Sequence, residues 1–137
     1  MSDILETQTG AAAWPKSIFA ITLFTEDLEL AKEFYQKVFG LPIEFEDPNS
    51  AVFKFGDTLV NLLKITEADE LISPARAANR EAGSRSVFTI RVDDVDAMCT
   101  ELIGRGVKLL NGPMDRPWGI RTASFMDPAG QIWELAK

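Results

Sequence analysis

The sequence writes one pattern twice. Residues 18–66 and 87–137 each hold a β-rich run, a helix opened by an aspartate, and three further short apolar runs. A duplication of this length constrains the fold strongly, because two copies of one unit must bury their apolar faces together. In the first copy, Asp27 follows the β-rich run 18–24 as a helix N-cap. Leu28, Ala31, Phe34, Tyr35 and Val38 then recur at helical spacing until Gly40 and Pro42 stop the helix. Strands are expected at 43–46, 51–55 and 58–65, the last two joined by Gly56-Asp57. In the second copy, residues 87–92 lead to Asp94 as the cap. Val95, Met98, Leu102 and Ile103 form the apolar stripe, closed by Gly104 and Gly106. Strands are expected at 107–110, 121–126 and 131–136, the last pair joined by the turn Asp127-Pro128-Ala129-Gly130. The class is α+β, ordered β-α-β-β-β twice. It divides into an N-terminal arm (1–16), a first module (17–66), a polar Arg-bearing linker (67–84) and a second module (85–137), with 17–137 one structural domain.

The most restrictive count is histidine, which is zero. Imidazole metal sites, Ser-His-Asp triads and the commonest general base are thereby excluded. Chemistry would have to run on carboxylates, hydroxyls, Lys, Arg or Tyr35. A net charge of -7 disfavours nucleic acid and anionic membranes and favours cations. Cys99, the single cysteine, permits no internal disulfide and suits a reducing cytoplasm. It sits at a helical position with no base nearby in sequence, so an inert thiol is expected. No apolar run approaches the roughly 20 residues that cross a bilayer. Residues 1–14 do not read as a secretory signal, because no basic segment precedes an apolar one.

Several phrases resemble the vicinal oxygen chelate superfamily of glyoxalases, bleomycin resistance proteins and dioxygenases. They are Asp27-Leu28-Glu29 with Phe34-Tyr35 and Phe39-Gly40-Leu41-Pro42, then Val92 to Ala97 with Gly106-Val107, then Asp127 to Leu135. The resemblance covers nearly the whole chain from Ser17. It implies tandem βαβββ modules forming a curled mixed sheet around a shared cavity. Metal-dependent relatives place four ligands there, and the corresponding positions here are Ala20, Asn61, Val87 and Glu134. Ala20 and Val87 offer no lone pair, and an amide oxygen is a weak ligand for transition metals. No metal and no cofactor is therefore expected, and metal-dependent lyase, dioxygenase or epimerase chemistry falls away with the ion. The stretch Asp115 to Arg121, with Pro117-Trp118-Gly119 inside it, resembles the metal-free bleomycin-resistance-like subgroup, whose members sequester an antibiotic. Thr122-Ala123 departs from that subgroup's pattern, which commonly has an acidic and an aromatic residue at this point.

Strand alternation sets Ala20, Thr22, Leu59, Asn61 and Leu63 on the concave side of the first module. It sets Val87, Thr89, Arg91, Ile132 and Glu134 on that of the second. Trp133 then faces the helix as core. Asn61, Arg91, Trp118, Arg121 and Glu134 are the candidate ligand-binding residues. Glu134 is read as a ligand contact or as an acid paired with Arg91 or Arg121. The linker arginines Arg76, Arg80 and Arg85 are read as solvated. The expected function is metal-free binding, or sequestration, of a small cationic or aromatic molecule by a cytoplasmic homodimer gripped by its arm at Trp14-Pro15. Two alternatives remain open: a metal-independent lyase or isomerase using Glu134 as base, and a degenerate structural or regulatory subunit. A cavity packed shut by Phe24, Phe45, Phe53, Phe55 and Trp118 would mark the latter.

Overall fold

The computed structural model describes residues 13–137. The part of the expected arm before Ala13 lies outside the described residues. The first module is β1 (Ala20–Thr25), α1 (Leu28–Phe39), β2 (Ile43–Asp47), β3 (Ser50–Phe55) and β4 (Thr58–Lys64). A connecting segment carries the short helix α2 (Ala68–Ile72). The second module is β5 (Val87–Arg91), α3 (Val95–Gly104), β6 (Leu109–Asp115), β7 (Arg121–Met126) and β8 (Ile132–Ala136). Each module builds one mixed four-stranded sheet, ordered β1-β4-β3-β2 and β5-β8-β7-β6, and neither sheet closes. In each, the first and last strands run parallel and the other pairs antiparallel.

The helices begin and end for local reasons. Asp27 accepts a hydrogen bond from Leu30 N at 3.0 Å, and Asp94 accepts one from Ala97 N at 3.0 Å. Each cap satisfies an orphan N–H and places negative charge at the positive end of the helix. Gly40 ends α1 with φ +67°, a conformation that a Cβ would strain.

Side chains of both modules form a single core. Leu23, Tyr35, Phe53 and Leu62 of the first module join Cys99, Leu102, Phe125 and Trp133 of the second. Phe55 stacks on Trp133 at 5.3 Å, and Phe39 meets both Phe125 and Trp133. Aromatic pairs of this kind contribute about 0.5–1.5 kcal/mol each beyond burial. Phe53 and Phe55 therefore serve the core, while Phe45 and Trp118 are 61% and 68% exposed, so this set of rings does not pack a cavity shut.

The sequence expectations and the structure differ mainly at β6. The strand expected at 107–110 begins at Leu109 and continues to Asp115, because Val107 is drawn into the core and the strand shifts register twice, between Leu109 and Asn111 and between Asn111 and Met114. In the linker, Ala68 is fully buried and starts α2.

Candidate ligand-binding faces

Strand parity separates the core from the candidate site. On β4, Val60 and Leu62 enter the common core, so Leu59, Asn61 and Leu63 lie on the opposite, outer face. On β8, Trp133 and Leu135 enter the same core, leaving Ile132 and Glu134 outside it. The two outer faces therefore both look away from one shared core.

The outer faces repeat a register as well as a pattern. Thr22 stands opposite Asn61 in the first sheet, and Thr89 opposite Glu134 in the second. In the second pair the Thr89 hydroxyl donates to Glu134 Oε1 at 2.8 Å. In the first, Asn61 Oδ1 is buried and receives no hydrogen bond among the described residues. An unpaired buried acceptor costs about 1–3 kcal/mol, which makes this atom the most unusual feature of the face.

The other candidates are distributed unevenly. Arg91 follows Thr89 two residues along β5 on the same outer face and is exposed. Trp118 stands at the tip of the β6–β7 hairpin, where the Arg116 guanidinium lies 5.8 Å from its ring centroid. Arg116 is itself held by Thr122 Oγ1 at 2.8 Å and Asn111 Oδ1 at 3.0 Å, a brace that the sequence reading missed. Arg121 is not on the outer face. It shares the parity of the core residues Ala123 and Phe125, and it binds both oxygens of Asp96 at the start of α3 and one of Asp115. Those bonds hold Asp96 below the usual carboxylate range. Glu134 accordingly takes its hydrogen bond from Thr89 rather than from Arg91 or Arg121. Arg80 is exposed but not merely solvated, since its N–H binds Glu26 and its guanidinium binds the Pro128 carbonyl. None of five surface clefts, about 170 to 520 Å³ in volume, is lined by Asn61, Arg91, Trp118, Arg121 or Glu134.

The four positions that hold metal in related folds carry a poor donor set here. Ala20 and Val87 present hydrocarbon, which leaves only an amide oxygen at Asn61 and the Glu134 carboxylate as donors. The described residues contain no group of three or more His, Cys, Asp or Glu placed to hold an ion. These residues do not fit a divalent metal.

A second polar feature was legible in the sequence only as a turn. Asp127 is 3% exposed. Its Oδ1 accepts from Ala129 N and Gln131 N at 2.9 Å, and its Oδ2 accepts from Tyr35 OH at 2.7 Å. Trp133 Nε1 donates to the same hydroxyl at 3.1 Å. The latch ties α1 of one module to the β7–β8 turn of the other. Burial raises the Tyr35 hydroxyl well above its ordinary range, so it remains a donor. Burial also raises Asp127 above its ordinary 3.8, while its hydrogen bonds oppose the shift. A carboxyl raised on folding binds protons more tightly in the native state. Its contribution is thus full below 3.8 and is lost as pH rises through the raised value. Urea titrations across that window should show wild type losing stability relative to Asp127→Asn as pH rises. A constant difference between the two would contradict the assignment.

The sequence profile of the Glyoxalase/Bleomycin resistance protein/Dioxygenase superfamily matches residues 17–135. The uncharacterized protein YraH of Bacillus subtilis (strain 168) is 32% identical over 124 residues, spanning 88% of this chain and 97% of that one. Among solved structures, TnmS3, an antibiotic binding protein from Streptomyces sp. CB03234, superposes with a TM-score of 0.69 at 28% identity, covering 90% of this chain and 97% of its own. Lactoylglutathione lyase from Agrobacterium tumefaciens superposes with a TM-score of 0.72 at 27% identity, covering 89% and 93%. No helix among the described residues is long and apolar enough to cross a membrane.

Proposed function

Because the chain belongs to the glyoxalase/bleomycin resistance protein/dioxygenase superfamily, we propose that it binds a small organic ligand on the outer sheet faces without a metal ion. The observation that carries this reading is the orphaned Oδ1 of Asn61. Because the oxygen is covered in the free chain, the Asn61 amide would have to turn toward the face; a ligand N–H or O–H would then supply the missing donor and recover the desolvation cost that the free protein bears. Glu134, on the register-equivalent position of the second module, adds negative charge. Trp118 offers an exposed ring for stacking, already steadied by Arg116. A cationic or donor-rich aromatic molecule satisfies all three, and the net charge of -7 favours its approach. The likeness to an antibiotic binding protein supports the same class.

Enclosing such a ligand calls for two copies. Each outer face is turned from the shared core, and a twofold dimer that sets the first sheet of one chain against the second sheet of its partner would cover both. Val87, 54% exposed on the outer face of β5, is apolar surface that such a dimer would cover. The single cysteine, buried and unpaired, supports a reducing cytoplasmic setting.

Calorimetric titration with cationic antibiotics, bleomycin among them, tests the ligand class. Trp118→Ala should remove about 1–3 kcal/mol of stacking, weakening binding about 5- to 150-fold with the fold intact. Glu134→Gln should weaken a cationic ligand more than a neutral one of the same shape. Unchanged affinity in both variants, with a melting temperature several degrees lower, would assign the residues to structure instead. Turnover lost by Glu134→Gln with affinity kept would replace binding by base catalysis. Light scattering at tens of micromolar should show a dimer, and a monomer would contradict the assembly.

A further inference from the structure

We propose a second binding site, for an amphipathic carboxylate, in the cleft where α1, the β3–β4 turn, β5 and α3 converge. The cleft has a volume of about 520 Å³, the largest of the five, and lies within the range of small-molecule pockets. Neither Asn61 nor Glu134 lines it, and it adjoins the second outer face only through Thr89, whose hydroxyl is taken up by Glu134. Phe39, Phe55, Ile90 and Met98 give it an apolar floor. These side chains are partly buried against the core, and Phe55 is backed by its stack on Trp133.

The charge at the rim decides which amphiphile fits. In a chain with 21 acidic and 14 basic residues, the cleft walls include Lys54 and Arg105 and not one carboxylate. Arg105 is held in place by the Val38 carbonyl at 2.6 Å and by Glu101 at 2.7 Å, which neutralises part of its charge. Lys54 is exposed and makes no ion pair or side-chain hydrogen bond among the described residues. An apolar floor with an uncompensated ammonium at its lip matches a short acyl or aryl chain ending in a carboxylate. The chain enters the cleft and the carboxylate stays at the water boundary beside Lys54.

Titration calorimetry with octanoate and with octyltrimethylammonium tests this directly on the full chain. Octanoate should bind saturably, one per chain, and at least about tenfold more tightly than the cation of equal length. Lys54→Glu should weaken octanoate by at least about fivefold, because attraction at the lip becomes repulsion. Lys64→Glu makes the same charge change at the far end of β4 and should leave the affinity within about twofold. Met98→Trp, filling the floor, should abolish binding while far-ultraviolet circular dichroism remains native. Absence of octanoate binding would overturn the site, as expected if a second copy already covers the cleft. Equal affinity for the two amphiphiles, or equal loss in the two lysine variants, would overturn it as well.

Discussion

Asp127→Ala is expected to be the most damaging single substitution outside the apolar core. It strands Tyr35 OH and the backbone N–H groups of Ala129 and Gln131, all of which Asp127 satisfies in a site 3% exposed. Tyr35 OH is buried and the two N–H groups part-buried; with about 1–3 kcal/mol for a buried donor left without a partner, the total loss should be about 3 kcal/mol and lower the melting temperature by roughly 10 °C. Tyr35→Phe removes the donor to Oδ2 and the acceptor for Trp133 Nε1 while keeping the ring, and should cost about half as much. Because the two residues share one hydrogen bond, the double variant should lose less than the sum of the singles. Equilibrium urea unfolding measures all three, and strict additivity would show that the latch does not couple the modules.

Gly112→Ala should be nearly as severe, for a different reason. Gly112 sits at φ +87°, and a Cβ there would strike the Thr122 carbonyl and come within 2.7 Å of the Ala123 Cα. Those are backbone atoms of the neighbouring strand β7, so the strand itself would have to move. A loss of at least about 3 kcal/mol is expected, in the range reserved for steric conflict with a rigid neighbour. Gly119→Ala is the control. Its φ of +98° is equally unusual, but nothing lies within 4 Å of the added Cβ, so only conformational strain of about 1 kcal/mol applies. Comparable losses at the two glycines would show that backbone conformation, and not close approach, governs β6.

The contrast between these glycines shows where sequence reasoning stops. Signals that act within a few residues were legible: the Asp27 and Asp94 caps, the glycine that ends α1, and the alternation that puts Trp133 in the core and Glu134 on the opposite face of β8. The duplication exposed the two modules because each carries the same local signals. Contacts between distant residues leave no such trace. Tyr35 meets Asp127 across 92 positions, and Asp127 in sequence is simply the first residue of a turn. Arg121 could be placed on a strand, yet the deciding partner was Asp96 at the start of α3, which alternation alone cannot supply. The same limit applied to Gly112, whose neighbour belongs to another strand. Parity set Asn61 on the face opposite Val60 and Leu62 and read that face as the concave wall of a cavity; that the face is turned from the core, and that the Asn61 oxygen is buried and lacks a donor, are properties of the packed sheet.

That oxygen offers the most direct test of ligand binding. Asn61→Leu keeps the side chain's approximate volume and removes an acceptor that the free protein leaves unsatisfied. If Asn61 serves a ligand, the free variant should melt at the wild-type temperature or higher, by up to about 1–3 kcal/mol of relieved desolvation. A cationic antibiotic that raises the melting temperature of wild type should then raise that of the variant much less. The measurement is one thermal-shift series, wild type against Asn61→Leu, with and without bleomycin and related cationic antibiotics. Destabilisation of the free variant, together with an unchanged ligand-induced shift, would contradict the account.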